Sequence, residues 1–336
     1  MRLDTFNFPR QRDSVVLLGA GATRGAHFIE PGALCCPPLD TDFFAQLRRS
    51  GLAPTGDARE LLDFVDTEFG GLDVRMETFY SQAHLFDQFV QDVNTEGRRR
   101  RRRYEWALRY FRRVLPLLFG ASLKGMSCTH HEALAGAAQV GDTFISFNYD
   151  CLLDRALARR GGRRWKPKTG YEAPIAGDVS AWCDHSGRGM TPRGTILLLK
   201  PHGSLNWMRS SDGSLRLRTD EYEARHEDEL TIIPPLWQKS IEAEPYTKIW
   251  RRTRRALSSA KALFVIGYSL PETDVYTQAT LRMDVGNLDF LGIANPDAAA
   301  RVRLMRTLRS AVTSTTHVVE FDSLAEMAQH LPGPPA

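Results

Sequence analysis

Short apolar runs punctuate this chain, each too brief for a helix and too continuously apolar for a strand with one wet face. The first is Ser14–Leu18, and Thr143–Phe147, Thr195–Leu199, Ala262–Ile266, Leu288–Ile293 and His317–Phe321 follow. Such runs suit strands buried on both faces. Helical patterns separate the last four of them, at Pro245–Ser259, Pro271–Met283 and Asp297–Ser310. Strands that alternate with helices pair in parallel, and the crossover helices then cover the sheet on both faces. The fold class this predicts is α/β, with a mostly parallel sheet.

From about residue 57 to 138 the texture changes. Leu61, Leu62, Val65 and Phe69, and later Tyr104, Leu108, Phe111 and Leu115, stand at helical spacing with few strand signals between. The pattern predicts a helical insertion over 57–138, dividing a sheet domain formed by 1–56 and 139–330. Segments 160–192 and 208–228, rich in Gly, Arg, Ser and Asp, are expected to be loops, and 331–336 a frayed tail. The sequence contains no internal repeat.

With 336 residues, 42% hydrophobic and 25% charged, the composition is that of a soluble globular protein. No apolar run approaches the roughly 18 residues of a membrane span. Residues 1–12 lack the apolar centre of a signal peptide, so a cytoplasmic location and no membrane partner are expected. Five cysteines (Cys35, Cys36, Cys128, Cys151 and Cys183) form no C-x-x-C pair and no disulfide framework, and no metal site is expected. Adjacent Cys35 and Cys36 are expected to be one buried and one exposed thiol.

The net charge of +4 is unevenly spread. Arg98–Arg103 is an unbroken arginine run, and Arg251, Arg252, Arg254 and Arg255 make a second cluster. The run is either a solvated helix start or loop, or a docking patch for nucleic acid or an acidic protein. No aromatic interleaving within it favours nucleic acid. The clusters His130–His131 and His226–Glu229 are expected at the surface.

Four of the apolar runs end in polar or glycine-rich turns. In open α/β sheets, ligands bind beyond the carboxyl ends of strands, so four such turns describe one site. Gly19-Ala20-Gly21-Ala22-Thr23 suits a phosphate cradle, because glycine lets backbone N–H groups approach an anion. Its G-x-G-x-x-x-G spacing exceeds the usual dinucleotide fingerprint by one residue, and no helix is expected there, since prolines follow from Pro31 onward. In Phe147-Asn148-Tyr149-Asp150 the Asn and Asp alternate and so point the same way. Asn148 suits ribose hydroxyls or an ordered water. Asp150 either lies near the ligand or caps the helix starting near Cys151. Lys200-Pro201-His202-Gly203-Ser204 places an imidazole at the mouth of the sheet, where its ordinary pKa suits acid–base work. Gly267-Tyr268-Ser269-Leu270 suits contact with a ribose or adenine, and Asn295 closes the next strand.

Together these motifs, with Pro37–Phe44 and Lys200–Trp207, resemble the SIR2-like family. The resemblance implies a Rossmann-like sheet that binds NAD. By it, Gly19, Ala20, Gly21, Ala22 and Thr23 hold the pyrophosphate, and Asp150, Gly267, Tyr268, Ser269 and Asn295 lie around the nucleotide. Asn148 and His202 match the family's catalytic Asn and His. The paired zinc cysteines of the protein-deacylating members are missing, which aligns the chain with zinc-free bacterial anti-phage effectors that hydrolyse NAD. The resemblance thus implies an NAD+ glycohydrolase that works as a homo-oligomer, with a HerA-like ATPase or another defence protein as partner. An NAD-dependent deacylase and a non-catalytic nucleotide sensor are the alternatives.

Overall fold

The computed structural model describes residues 14–25, 33–53, 56–89, 95–123, 128–183, 195–210, 212–223, 231–233, 244–272 and 274–331. The cluster His226–Glu229 and all but the first residue of the expected frayed tail lie outside the described residues. In chain order the elements begin with β1 (Ser14–Leu18), α1 (Ala20–Arg24), α2 (Phe43–Arg49), α3 (Gly56–Phe69), α4 (Met76–Phe89), α5 (Thr95–Leu123) and α6 (Thr129–Ala137). There follow β2 (Thr143–Ser146), α7 (Leu152–Arg160), α8 (Pro167–Gly170), β3 (Ile175–Ala176), β4 (Leu197–Leu199), β5 (Trp207–Arg209) and β6 (Leu215–Leu217). The last are α9 (Tyr246–Ser259), β7 (Ala262–Ile266), α10 (Val275–Asp284), β8 (Phe290–Ala294), α11 (Ala298–Thr307), β9 (His317–Phe321) and α12 (Leu324–Gln329).

The chain divides into two compact units, one formed by Met1–Phe28, Ser127–Thr219 and Ile241–Ala336, the other by Ile29–Met126 and Asp220–Ser240. The first unit holds a six-stranded sheet in the order β4-β2-β1-β7-β8-β9. Every pairing in it is parallel. Counted along the chain, these strands lie in the 3-2-1-4-5-6 order of doubly wound dinucleotide-binding sheets, so the fold is α/β and Rossmann-like. The point where the order reverses falls beside β1. Leu18 pairs with Ser146 on one side and Ile266 on the other, so the carboxyl ends of β2, β1 and β7 are level. The turns that follow therefore start from one rim.

Burial explains the sequence pattern. The residues of β1, β2, β7 and β8 are all buried, which is why they read as unbroken apolar runs. Edge strand β9 is only partly covered: Val319 and Phe321 are buried, whereas Glu320 between them is exposed.

Two expectations are corrected. A helix does form at the glycine turn: α1 spans Ala20–Arg24 and is closed by Gly25 N donating to Gly21 O (2.9 Å). One turn of helix fits before the prolines begin, and Gly19 enters it in extended conformation. The segment expected to be loop over 208–228 contains a hairpin. Strand β5 pairs antiparallel with β6, and β6 parallel with β3, in a separate three-stranded sheet. Asp212 makes the hairpin turn by accepting from Ser214 N (2.9 Å) and Oγ (2.6 Å), with Gly213 at φ 81°. Strands of three residues are too short to show alternation.

The second unit is built on α2–α5 around an aromatic core. The Phe111 ring sits 5.0 Å from Phe43 and 5.9 Å from Phe79, and Phe79 lies 5.1 Å from Phe44. Centroid spacings of this kind are favourable for edge-to-face and tilted aromatic pairs. Helix α5 starts at Thr95, so the arginine run lies within a helix.

Candidate functional site

The first unit brings the β1 and β7 turns backbone to backbone. Gly19 N donates to Ile266 O (2.9 Å) and Gly21 N to Gly267 O (2.8 Å). A Cβ on Gly19 would fall 2.6 Å from Tyr268 Cα, and one on Gly21 2.8 Å from Gly267 O. Gly267 adopts φ 59°, and a Cβ there would lie 2.0 Å from Ala22 N. Glycine is therefore required at these positions by the contact between the turns themselves. Within the expected phosphate cradle, the amides of Gly21 and Ala22 donate to Gly267 O and Gly19 O. Ala20 is exposed, whereas Ala22 and Thr23 are buried.

Asn148 follows β2 and is buried. Its Nδ2 donates to Gly19 O (3.0 Å) and to Thr23 Oγ1 (3.0 Å). A carbonyl oxygen only accepts, so these bonds fix which end of the amide carries nitrogen. Both amide hydrogens are engaged, and among the described residues Oδ1 carries no hydrogen bond. What Asn148 offers a ligand is an acceptor, which a water or a sugar hydroxyl satisfies. Thr23 Oγ1 in turn donates to Asp150 Oδ2 (2.7 Å), and Asp150 Oδ1 accepts from Leu152 N (3.1 Å) at the start of α7. Asp150 thus stabilises the helix start and holds the threonine that orients Asn148.

Beneath this turn lies a fully buried ammonium. Lys200 Nζ donates to Asp150 O (2.6 Å), Ser204 Oγ (2.6 Å) and Asp154 Oδ2 (3.1 Å). Burial lowers the Lys200 pKa, but the charges of Asp154, Cys151 and Asp150 outweigh it, and the net direction is up. Asp154 also accepts from the Tyr171 hydroxyl, which itself accepts from Asn206 Nδ2 (3.3 Å). Burial and Asp154 together hold the Tyr171 phenol well above its ordinary pKa. Leu205 N donates to Tyr149 O (2.9 Å). The Asn148–Asp150 turn and the Lys200–Ser204 turn are thereby stapled to one another.

His202 rides on the second of these turns and is buried. Its ring lies 4.9 Å from Phe147 and 6.3 Å from Trp250. Phe147 also stacks on Tyr268 at 5.0 Å, bridging the turns after β2 and β7. The Tyr268 hydroxyl donates to Asp274 Oδ2 (2.6 Å), and the other Asp274 oxygen caps α10 by accepting from Thr277 N (3.4 Å). Asn295 Nδ2 donates to Tyr268 O (3.2 Å). Asn148, Thr23, Asp150 and Gly19 thus form one hydrogen-bonded set, while His202 and Tyr268 meet through Phe147. Ser269 is exposed, and its carbonyl accepts from Arg303 (3.1 Å).

Asp154 and Trp250 are residues of this site that lie outside the sequence motifs, and Lys200, which opens one of them, was assigned no role there. A lysine directly after a buried apolar run was the available signal, since a charge there needs a buried partner. His131, expected at the surface, is buried on α6 instead, with Nδ1 3.0 Å from Cys128 Sγ. It faces inward with Leu134 and Ala135, and burial, with His130 beside it, lowers its pKa to about 4. Cys35 is buried and Cys36 half-buried. Among the described residues, no group of three or more His, Cys, Asp or Glu side chains is placed to hold a metal, and no helix is long and apolar enough to cross a membrane.

Comparison with known proteins adds three findings. Residues 142–284, which span β2 to α10, match the family model of the SIR2-like domain. No curated protein matches the chain. Among solved structures, a triple mutant of a Sir2 homologue in complex with 2'-O-acetyl ADP ribose is 15% identical, covering 89% of this chain and 92% of that one, with a TM-score of 0.36. A structure described as the basis for the mechanism and regulation of Sir2 enzymes is 12% identical over 75% of this chain and 88% of that one, with a TM-score of 0.36. A point mutant of a Sir2 homologue with ADP ribose is 13% identical over 89% of this chain and 91% of that one, with a TM-score of 0.30.

Proposed function

We propose that this chain, whose residues 142–284 match the family model of the SIR2-like domain, is an NAD+ glycohydrolase, cleaving the nicotinamide–ribose bond to release nicotinamide and ADP-ribose. The observation that carries this reading is the orientation of Asn148. Its amide nitrogen is tied to Gly19 O and Thr23 Oγ1, which leaves an acceptor oxygen beside the topological switch point.

The reaction asks little of the leaving group. Nicotinamide departs with the bonding pair and becomes neutral, so no acid is needed to protonate it. What remains is to present water to the anomeric carbon and to remove its proton as the new C–O bond forms. Asn148 Oδ1 holds the water or a ribose hydroxyl by accepting from it. His202 takes the proton, directly or through a ribose hydroxyl, in the role of general base. Gly19–Thr23, Asp150, Gly267, Tyr268, Ser269 and Asn295 are the residues assigned to the nucleotide around this centre. Depletion of NAD suits a defence effector whose activity is released by assembly, as a homo-oligomer or with an ATPase partner.

The test is chromatographic separation of nicotinamide and ADP-ribose after incubation of the purified chain with NAD+. Asn148→Ala and His202→Ala are each expected to lower turnover by about 10²- to 10⁴-fold, the range of general acid–base contributions. Variants as active as the wild type would overturn the residue assignment. Nicotinamide release that requires an acetyl-lysine peptide identifies a deacylase instead. Thermal stabilisation by ADP-ribose without turnover identifies a sensor.

A further inference from the structure

The arginines of α5 do not form one patch. At 3.6 residues per turn, Arg98, Arg99, Arg102, Trp106, Arg109 and Arg113 fall within an arc of about 100°. All six are exposed, Trp106 at 52%. The facing arc, with Leu108, Phe111, Leu115 and Leu118, is buried in the core of the second unit. Two arginines of the run leave the stripe for acidic neighbours, Arg101 to Glu105 (3.4 Å) and Arg103 to Glu68 (2.8 Å). Arg113, at the far end, pairs with Asp57 (2.9 Å). Among the described residues Arg98, Arg99 and Arg102 have no ion-pair partner. From Arg98 to Arg113 the stripe is about 22 Å long at 1.5 Å per residue.

We propose that this face of α5 binds single-stranded nucleic acid. The guanidinium groups supply forked donors matched to phosphate oxygens. Trp106 stands among them with its ring open to solvent, which a merely solvated face does not require. A base stacks on such a ring whatever its sequence. In a duplex the bases are stacked within the helix and offer no free π-face, so the indole selects for single strands. An anionic membrane surface would attract the same arginines, but the apolar face of α5 is already buried in the protein core, leaving one indole to insert. The helix thus supplies the aromatic interleaving that the linear run of arginines lacks.

The experiment is fluorescence anisotropy of labelled dT20, U20 and a 20-base-pair duplex with the full chain, across a salt series. A flotation assay with phosphatidylserine vesicles runs alongside. Both single strands are expected to bind more tightly than the duplex, with no vesicle binding. Trp106→Ala is expected to weaken single-strand binding by about tenfold or more at an unchanged salt slope, and Trp106→Phe to restore most of it. Arg98→Glu/Arg99→Glu/Arg102→Glu is expected to abolish binding, and single Arg→Gln changes to reduce the log–log salt slope by about 0.7 each. All of these side chains are exposed, and a thermal melt of each variant checks the fold. Three results would overturn the proposal: a duplex bound as well as single strands, binding indifferent to Trp106→Ala, or vesicles bound in place of nucleic acid. The assay needs no NAD, so its failure is distinct from failure of the glycohydrolase reading.

Discussion

The two flanks of the β1 turn are held by opposite means. On the β2–β4 side the fastening is side-chain polar chemistry: Lys200, Asp154, Ser204, Asp150, Thr23 and Asn148 run in one hydrogen-bonded chain, with an ammonium and a carboxylate fully buried within it. On the β7–β8 side it is mostly backbone. Gly19 N meets Ile266 O, Gly21 N meets Gly267 O, and Gly267 N meets Ala294 O (2.8 Å), with glycine allowing the approach. The flank that carries Asn148 and His202 is therefore vulnerable to loss of charge. The flank assigned to the nucleotide is vulnerable to added volume. A polar staple fixes directions, which a side chain that must aim an amide requires. Backbone packing fixes distances, which a floor requires.

The sharpest way to break this contrast is to remove the ammonium. Lys200→Met leaves Asp154 buried without its cation, and truncating one partner of a buried pair costs about 3–5 kcal/mol. Urea denaturation is expected to show that loss. Lys200→Met/Asp154→Leu is expected to regain much of it, short of the wild type because Tyr171 loses its acceptor. A double variant as unstable as the single would mean that the charge is not what staples the flank. The pH dependence gives a second check. The Lys200 pKa is higher folded than unfolded, so its stabilisation is complete below the ordinary value of 10.5 and is lost as pH rises through the folded value. An alkaline titration of stability is expected to show a steeper loss in the wild type than in Lys200→Met, which keeps only the loss from groups such as Tyr171, whose folded pKa is also raised.

On the other flank the probe is volume. Gly267→Ala adds a Cβ 2.0 Å from Ala22 N at φ 59°. The left-handed conformation costs roughly 1–2 kcal/mol and overpacking typically about 1–3 more, so a loss of about 3 kcal/mol is expected. Gly162→Ala is the control: its φ is 52°, but nothing lies within 4 Å of the added carbon. It is expected to cost only the conformational part, about 1 kcal/mol. Equal losses at the two positions would show that φ, and not the contact between the turns, decides the need for glycine at Gly267.

The contrast also explains what could be read from the sequence. The sheet was legible because its four inner strands are buried on both faces, so burial appears as unbroken apolar runs. The turns were legible because Gly, Asn and His are conspicuous directly after such runs. The expected common direction of Asn148 and Asp150 appears as shared bonds to Thr23 Oγ1. Lys200 was named in its motif but given no role, because its partner Asp154 lies 46 residues away and the motif itself does not show the pairing. Trp250 likewise reaches Phe147 and His202 only through the packing of α9. Hairpin β5–β6 left no periodic signal in three residues per strand. Trp106 joins the arginines only once helical phase is applied.

A smaller loss than at Gly267 is expected where the glycine flank uses a buried side-chain hydroxyl. Tyr268→Phe removes the bond to Asp274 Oδ2 but keeps the ring stacked on Phe147. Asp274 retains its bond from Thr277 N, so the carboxylate is not orphaned and α10 keeps its cap. A hydrogen bond to a charged acceptor contributes about 1.5 kcal/mol or a little more, and a loss of that size is expected in denaturation. Nicotinamide release is expected to stay within about twofold of the wild type, because the ring that the proposal assigns to the nucleotide is kept and only the bond to Asp274 is lost. A collapse in turnover as deep as that expected for His202→Ala, with stability hardly changed, would place the phenol in the reaction and end the division of labour between the two flanks.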